Sequence, residues 1–180
     1  VALSSGLMYV TRYAINSWGI LYLQEIRGFS LLDAGFFLAV NTVAGIFGSI
    51  AYGYVSDKLF DARRPPANLI FAVVEVIALL VIFYGPANEI TLVLAFAAYG
   101  FTLSGLMASL GGLFAVDIAP RGATGAAMGF VGVFSYLAAA TQDVISASLI
   151  GAGVSTVNGV QVYNFDNAVV FWIGASVLSM

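Results

Sequence analysis

The stretch Ile90–Val116, ITLVLAFAAYGFTLSGLMASLGGLFAV, runs for 27 residues without a charge. At about 1.5 Å of rise per residue, a helix of that length exceeds the roughly 30 Å hydrocarbon core of a bilayer. Its apolar residues do not alternate with polar ones, so it does not read as a strand of a membrane barrel. In lipid, a helix is then the form that satisfies every backbone group internally. Similar runs recur along the chain, at about 1–23, 34–56, 67–85 and 123–151, with a last one from 168 to 180. The first is broken only by Arg12 and the third only by Glu75. The expectation is an all-α polytopic membrane protein with six helices, the last of them truncated.

Composition leads to the same class. Of 180 residues, 61% are hydrophobic and 8% charged, against roughly a quarter charged in a soluble domain. The apolar runs are too numerous for a signal peptide followed by a globular body. There is no Cys and no His, which removes disulfides, thiolate or imidazole metal sites, and Ser/His or Cys/His catalytic pairs. No enzymatic activity and no cofactor is expected. A net charge of −3 leaves no basic face for a nucleic-acid backbone. The chain begins at Val1 with no initiator Met and stops at Met180 inside an apolar run, so it reads as an internal piece of something longer.

The prolines mark the same borders. Pro65 and Pro66 lead into the third helix, Pro86 follows its end, and Pro120 separates the fourth from the fifth, all places where a missing N–H costs little. Assigning loops to alternate sides puts Lys58, Arg63, Arg64 and Arg121 on one side and only Arg27 on the other. The positive-inside rule places the loops around 57–66 and 117–122 in the cytoplasm.

Arg12 is the residue that points most directly to function. A guanidinium near the middle of a membrane helix costs about 2.5–3.5 kcal/mol on insertion scales, so something must compensate it. A bound anion in a water-filled cavity would do so, because the planar fork of donors matches phosphate or carboxylate in bidentate fashion. The alternative is a salt bridge to Glu75 or to an acid outside this sequence. Ser5, Tyr9, Arg12, Asn16 and Gly19 fall on one helical stripe, and a polar stripe on a membrane helix faces protein or water. A second stripe, Gly125, Gly129, Gly132, Tyr136, Ala140 and Asp143, runs along the fifth helix. Its glycines suit close helix approach, while Tyr136 is open between a site role and packing, with Gln142 beside it. Asp143 lies toward the outer end and reads as solvated before it reads as a ligand. Glu75 keeps two readings, a proton carrier or an interhelical hydrogen-bonding group.

Gly53-Tyr54-Val55-Ser56-Asp57-Lys58, followed by Arg63-Arg64, resembles the conformational loop signature of the major facilitator superfamily. The second basic pair is displaced by two residues, and the intervening Gly is absent. Three further stretches resemble the second half of the organophosphate:phosphate antiporters within that superfamily. They are Tyr9-Val10-Thr11-Arg12-Tyr13, then Ala44-Gly45-Ile46-Phe47-Gly48-Ser49, then Ile118-Ala119-Pro120 leading to Gly125, Gly129-Phe130 and Phe134-Ser135-Tyr136-Leu137. The resemblance implies a six-helix bundle equivalent to helices seven to twelve of a twelve-helix transporter whose N-terminal half lies outside this sequence. Family members bind a phosphate ester between two arginines, one from the first helix of each half. Arg12 matches the second of these, Tyr136 matches a cavity tyrosine, and Ser104 stands where another cavity tyrosine falls once a gap is allowed. Members taking hexose phosphates can carry an acid and a Lys in the fifth helix, where this sequence has Asp143 and no Lys.

The function implied is exchange of a phosphorylated small metabolite, a sugar phosphate or glycerol phosphate, for inorganic phosphate, in a bacterial cytoplasmic membrane. Its partners are then the lipid bilayer and the N-terminal six-helix half. A membrane sensor of the same fold, coupled to a signalling partner, is the alternative, since the family includes such receptors. A structural membrane subunit, with Arg12 in a salt bridge, is a third.

Overall fold

The computed structural model describes residues 1–120, 122–157 and 160–180. Helices α1 (Ala2–Glu25), α2 (Leu31–Leu59), α3 (Arg64–Tyr84) and α4 (Glu89–Ala108) follow one another through short connections. A π-helical segment, Ser109–Leu113, joins α4 to the short α5 (Phe114–Ile118); α6 (Thr124–Ala152) and α7 (Asp166–Ser179) complete the bundle.

Caps set several of the borders. Ser30 accepts from the Asp33 amide at 3.2 Å, and Asn88 accepts from the Thr91 amide at 2.7 Å. Each satisfies one donor that a helix start leaves orphaned. Helices α2 and α4 therefore begin at Leu31 and Glu89, ahead of the expected 34 and 90, because capping residues extend a helix beyond its apolar run. Helix α3 likewise begins at Arg64 rather than 67, with proline in its first turn.

Among the described residues, helices occur at the six expected places, yet they are neither equally long nor equally apolar. Among the described residues, α2, α3, α6 and the stretch Glu89–Ile118 have both the length and the apolarity to cross a bilayer. Helix α1 has the length, at 24 residues, but Arg12, Asn16, Gln24 and Glu25 dilute it. Helix α7 spans 14 residues. The fourth helix is also not the uninterrupted α-helix expected over 90–116. Its Ser109-Leu110-Gly111-Gly112-Leu113 turn widens to π geometry, which bends a helix and leaves spare carbonyls. Between α6 and α7 lies an antiparallel pair, β1 (Ser155–Val157) and β2 (Val160–Val162), with Thr156 opposite Gln161. The sequence signal for it is the Asn158-Gly159 dipeptide between the strands.

The closest helix packing is between α2 and α4, and α1 lies along α6. Missing side chains make the first contact possible. A Cβ on Gly48 would overlap the Phe101 backbone, one on Gly100 would overlap the Asn41 carbonyl, and one on Gly105 would lie 2.9 Å from Tyr52 Cβ. Backbones that approach this closely gain dispersion contacts that larger residues forbid, which is how helices associate where no hydrophobic driving force acts between them.

The glycines of α6 behave differently from the expectation of close approach. Around Gly125, Gly129 and Gly132, no described atom beyond the helix's own adjacent backbone would lie within 4 Å of an added Cβ. The buried face of α6 is the neighbouring one, carrying Val131, Ser135, Ala139, Gln142, Ser146 and Ile150. Ser135 meets Ser5 of α1 at 2.8 Å between hydroxyls, and Gly6 supplies the small residue at that contact, where an added Cβ would lie 3.3 Å from Ala138 Cβ. The residue spacing of the glycine stripe is helical on either reading; only the three-dimensional packing shows that no neighbouring helix is pressed against its glycines.

In purified full-length protein, Gly48→Ala is expected to lower stability by about 2 kcal/mol or more through overlap with Phe101. Gly174→Ala, where an added Cβ meets nothing, should be neutral or raise it by up to about 1 kcal/mol. Thermal unfolding in detergent distinguishes the two; equal shifts would show that the α2/α4 contact is looser than described.

Candidate functional site

Arg12 projects from the middle of α1 into an open pocket of about 270 Å³, shared with Asn16 of α1, Asn41 and Thr42 of α2, and Leu103, Ser104 and Met107 of α4. Its guanidinium donates to Met107 Sδ at 3.1 Å and lies 5.9 Å from the ring centroids of both Tyr9 and Tyr13. A thioether is a weak acceptor and two aromatic faces give modest cation–π attraction. Neither neutralises the charge. The salt bridge to Glu75 is not formed; among the described residues both ion pairs belong to Arg64.

The polar stripe of α1 divides between two surroundings. Ser5 and Gly19 are buried against neighbouring helices, Asn16 is exposed on the pocket, and Tyr9 sits between. Tyr136, largely exposed on α6, meets the Tyr9 ring edge to face at 5.5 Å. Helix α6 thus brings it against Tyr9, outside the residues that line the Arg12 pocket. Gln142 is elsewhere: it is fully buried and donates to Ser146, which also accepts from the Trp172 indole at 2.8 Å. That makes it a buried residue of the α6/α7 contact and corrects the site reading. Asp143 is half-buried, with Oδ1 out of contact with water and without a hydrogen-bond partner, so it is less solvated than its place near the helix end suggests.

Glu75 is fully buried on α3, and neither carboxyl oxygen has a hydrogen-bond partner. Ser176 of α7 is a polar neighbour. Glu75 does not line the Arg12 pocket, so its place is an interhelical one.

Asn41, Thr42 and Met107 are pocket residues that the sequence does not single out. The available signal is the Asn41-Thr42 pair, adjacent polar residues in a stretch of α2 that is uncharged and, apart from Ser49, apolar from Ala34 to Ala51.

The loop signature is a charge cluster at the end of the bundle where α2, α3 and α5 meet. Arg64 donates to Asp57 at 2.8 Å, Asp117 at 3.1 Å and Ser56 at 2.9 Å. Its side chain is only 12% exposed, so the cluster is more than a solvated loop. Asp117, which ties α5 into it, was not anticipated. Lys58 and Arg63 are exposed and Gly53 has open space beside it. Asp61 and Ala62 take φ of +49° and +61°, a left-handed conformation that costs a non-glycine residue roughly 1 kcal/mol. This is the segment in which the signature's glycine is missing. Arg27 serves the opposite end, donating to the carbonyls of Gly85 and Ile82 at the close of α3. Arg121, counted in the positive-inside argument, lies outside the described residues.

A bundle of membrane-crossing helices that walls a polar pocket and gathers its loop charges at one end defines a polytopic membrane protein. The chain belongs to the Major Facilitator Superfamily, whose profile matches residues 1–141. It is 36% identical over 138 residues to the glycerol-3-phosphate transporter of Bacillus subtilis, covering 76% of this chain and 31% of that one. It is 37% identical over 134 residues to the membrane sensor protein UhpC of Escherichia coli, covering 74% and 30%. It is 30% identical over 146 residues to a probable hexose phosphate transport protein of Chlamydia pneumoniae, covering 77% and 31%. The chain thus spans about a third of the length of these relatives.

Ala62→Gly should relieve the left-handed backbone and raise stability by about 1 kcal/mol, less the entropy that glycine adds to the unfolded chain. An unfolding midpoint lowered by the full entropic cost of a glycine would show that residue 62 carries no strain.

Proposed function

We propose that this chain forms helices seven to twelve of an antiporter that exchanges a phosphorylated small metabolite, a sugar phosphate or glycerol phosphate, for inorganic phosphate. The observation that carries the reading is Arg12, a guanidinium held at mid-helix beside a polar pocket and in contact with a thioether and two aromatic rings instead of a carboxylate. A cation so placed is stabilised by an anion, and its fork of donors suits two phosphate oxygens. The names of the relatives, a glycerol-3-phosphate transporter and a probable hexose phosphate transport protein, favour a phosphate ester. Asn16 lines the same space, Tyr9 lies against Arg12 and Tyr136 against Tyr9.

The mechanism is alternating access, with two six-helix bundles rocking around a midplane site. Phosphate bridges Arg12 to a counterpart in the N-terminal half, and binding lowers the barrier to switching only to the extent that the ligand favours the closed arrangement. The Arg64 cluster lies at the cytoplasmic end, in a bacterial cytoplasmic membrane, by the positive-inside distribution of Lys58, Arg63 and Arg64. The sensor reading keeps the same site but couples it to a signalling partner; the likeness to UhpC favours it over a purely structural membrane subunit.

In the full-length protein, Arg12→Lys keeps the charge but loses the bidentate fork. Phosphate exchange in proteoliposomes is expected to fall at least tenfold to a hundredfold, the range for a lost charge-assisted hydrogen bond of about 1.5–3 kcal/mol, with the unfolding midpoint unchanged. Exchange at the normal rate would sink the site assignment. Phosphate-dependent stabilisation without any exchange would favour the sensor.

A further inference from the structure

We infer that Glu75 is a proton-binding site in the core of the bundle, and that the proton it holds promotes anion binding at Arg12 by withholding a negative charge from it. The site itself is built by α3, α4 and α7; its link to Arg12 rests on the reading that Arg12 holds an anion.

Glu75 is fully buried in the middle of α3, and neither carboxyl oxygen has a hydrogen-bond partner among the described residues. The hydroxyl of Ser176 on α7 is its polar neighbour, and that oxygen is buried and unpartnered as well. The other polar groups of the surrounding helices are committed elsewhere. From α4, the fully buried Tyr99 donates its hydroxyl to the Thr11 carbonyl at 3.1 Å. From α2, Tyr52 is turned to Asn68 and Ser109. Glu89 and Asp166, the acids of α4 and α7, stand at the starts of their helices. The cations that touch α3 sit at its ends, Arg64 between Asp57 and Asp117 and Arg27 on the carbonyls of Ile82 and Gly85, about 10 Å or more from Glu75 along the helix axis. An ionised carboxylate here would have one hydroxyl on offer and no cation, and burying an unpaired charge costs far more than burying a neutral acid. A proton changes the count. The acid O–H can donate to Ser176 Oγ and the Ser176 hydroxyl to the other carboxyl oxygen, so one proton accounts for three orphaned oxygens.

The same buried groups lead to Arg12. Thr11 precedes it in α1, and the Thr11 hydroxyl donates to the Trp172 carbonyl at 3.4 Å, one turn before Ser176 on α7. Tyr99 interacts with both sites: the Glu75 carboxyl and the Arg12 guanidinium each act on its hydroxyl through space. In a core of low dielectric, a negative charge at Glu75 opposes an anion arriving at Arg12, and a proton removes that opposition. Anion affinity is therefore full while Glu75 carries its proton and falls as rising pH removes it. The link is reciprocal, since an anion on Arg12 must tighten the hold on the proton by the same factor.

Infrared spectra of the full-length protein test the site. The wild type should show a carboxylic-acid C=O band at neutral pH that is missing in Glu75→Gln, the neutral isostere. In Ser176→Ala the band should move to higher frequency, because the carbonyl loses its hydrogen bond. A spectrum without that band, or a band that neither variant alters, overturns the proton site. Equilibrium binding of labelled inorganic phosphate, from mildly acidic to alkaline pH, tests the link. The readout is the ratio of wild-type to Glu75→Gln affinity at each pH, in which the ionisation of phosphate itself cancels. The ratio should be near one in acid and fall at least fivefold as the band disappears, the lower end of the range for coupled sites. A constant ratio overturns the link. Glu75→Met, apolar and of similar volume, takes the place of Glu75→Gln if the latter does not fold. If the wild type binds no phosphate at any pH, the anion reading of Arg12 fails instead, and the infrared band still decides the proton site.

Discussion

A guanidinium cannot be left in hydrocarbon, and the cost of Arg12 in α1 shapes what surrounds it. The helices nearest to it supply polarizable and polar groups: two tyrosine faces on its own helix, the Met107 sulfur on α4, and amide and hydroxyl groups on α1, α2 and α4. Each softens the surroundings without supplying a countercharge. The same arrangement that makes the cation tolerable leaves its donors available, which is the condition for binding an anion that comes and goes. A carboxylate at hydrogen-bond distance would have stabilised the empty state and competed with ligand.

The pocket owes its dimensions to the packing between α2 and α4. Glycines at positions 45, 48 and 100 bring these helices into backbone contact, and this pair carries Asn41, Thr42, Ser104 and Met107. The second packed pair, α1 with α6, brings Tyr9 to Tyr136. Arg12 thus stands where two packed pairs adjoin. At the far end, Arg64 holds α2, α3 and α5 together through Asp57 and Asp117, just beyond the π-helical turn at Ser109–Leu113. The Tyr52 hydroxyl, which donates to Asn68 and lies 2.8 Å from Ser109 Oγ, connects that turn to α2 and α3.

Much of this was legible in the sequence because hydropathy and charge scarcity act over long windows. Where charges are few, each one within an apolar run stands out, and Arg12 was identifiable for that reason alone. Helix ends were less legible, since Ser30 and Asn88 extend their helices by local hydrogen bonds that a hydropathy window does not register. Periodicity shows that Gly125, Gly129 and Gly132 share a face but not what lies opposite, and the packing leaves these three glycines without a close neighbour among the described residues. Gln142 and Tyr136 show the same limit: six residues apart on one helix, they point to a buried network and to the Tyr9 ring respectively. Asp117 belongs to a cluster assembled from three helices, which no single window contains.

The most direct test is the structure of the full-length protein with inorganic phosphate bound. Phosphate oxygens within hydrogen-bond distance of the Arg12 guanidinium, displacing its contact with Met107, are the predicted result. An Arg12 engaged by a carboxylate from the rest of the protein, with phosphate elsewhere or absent, would contradict it.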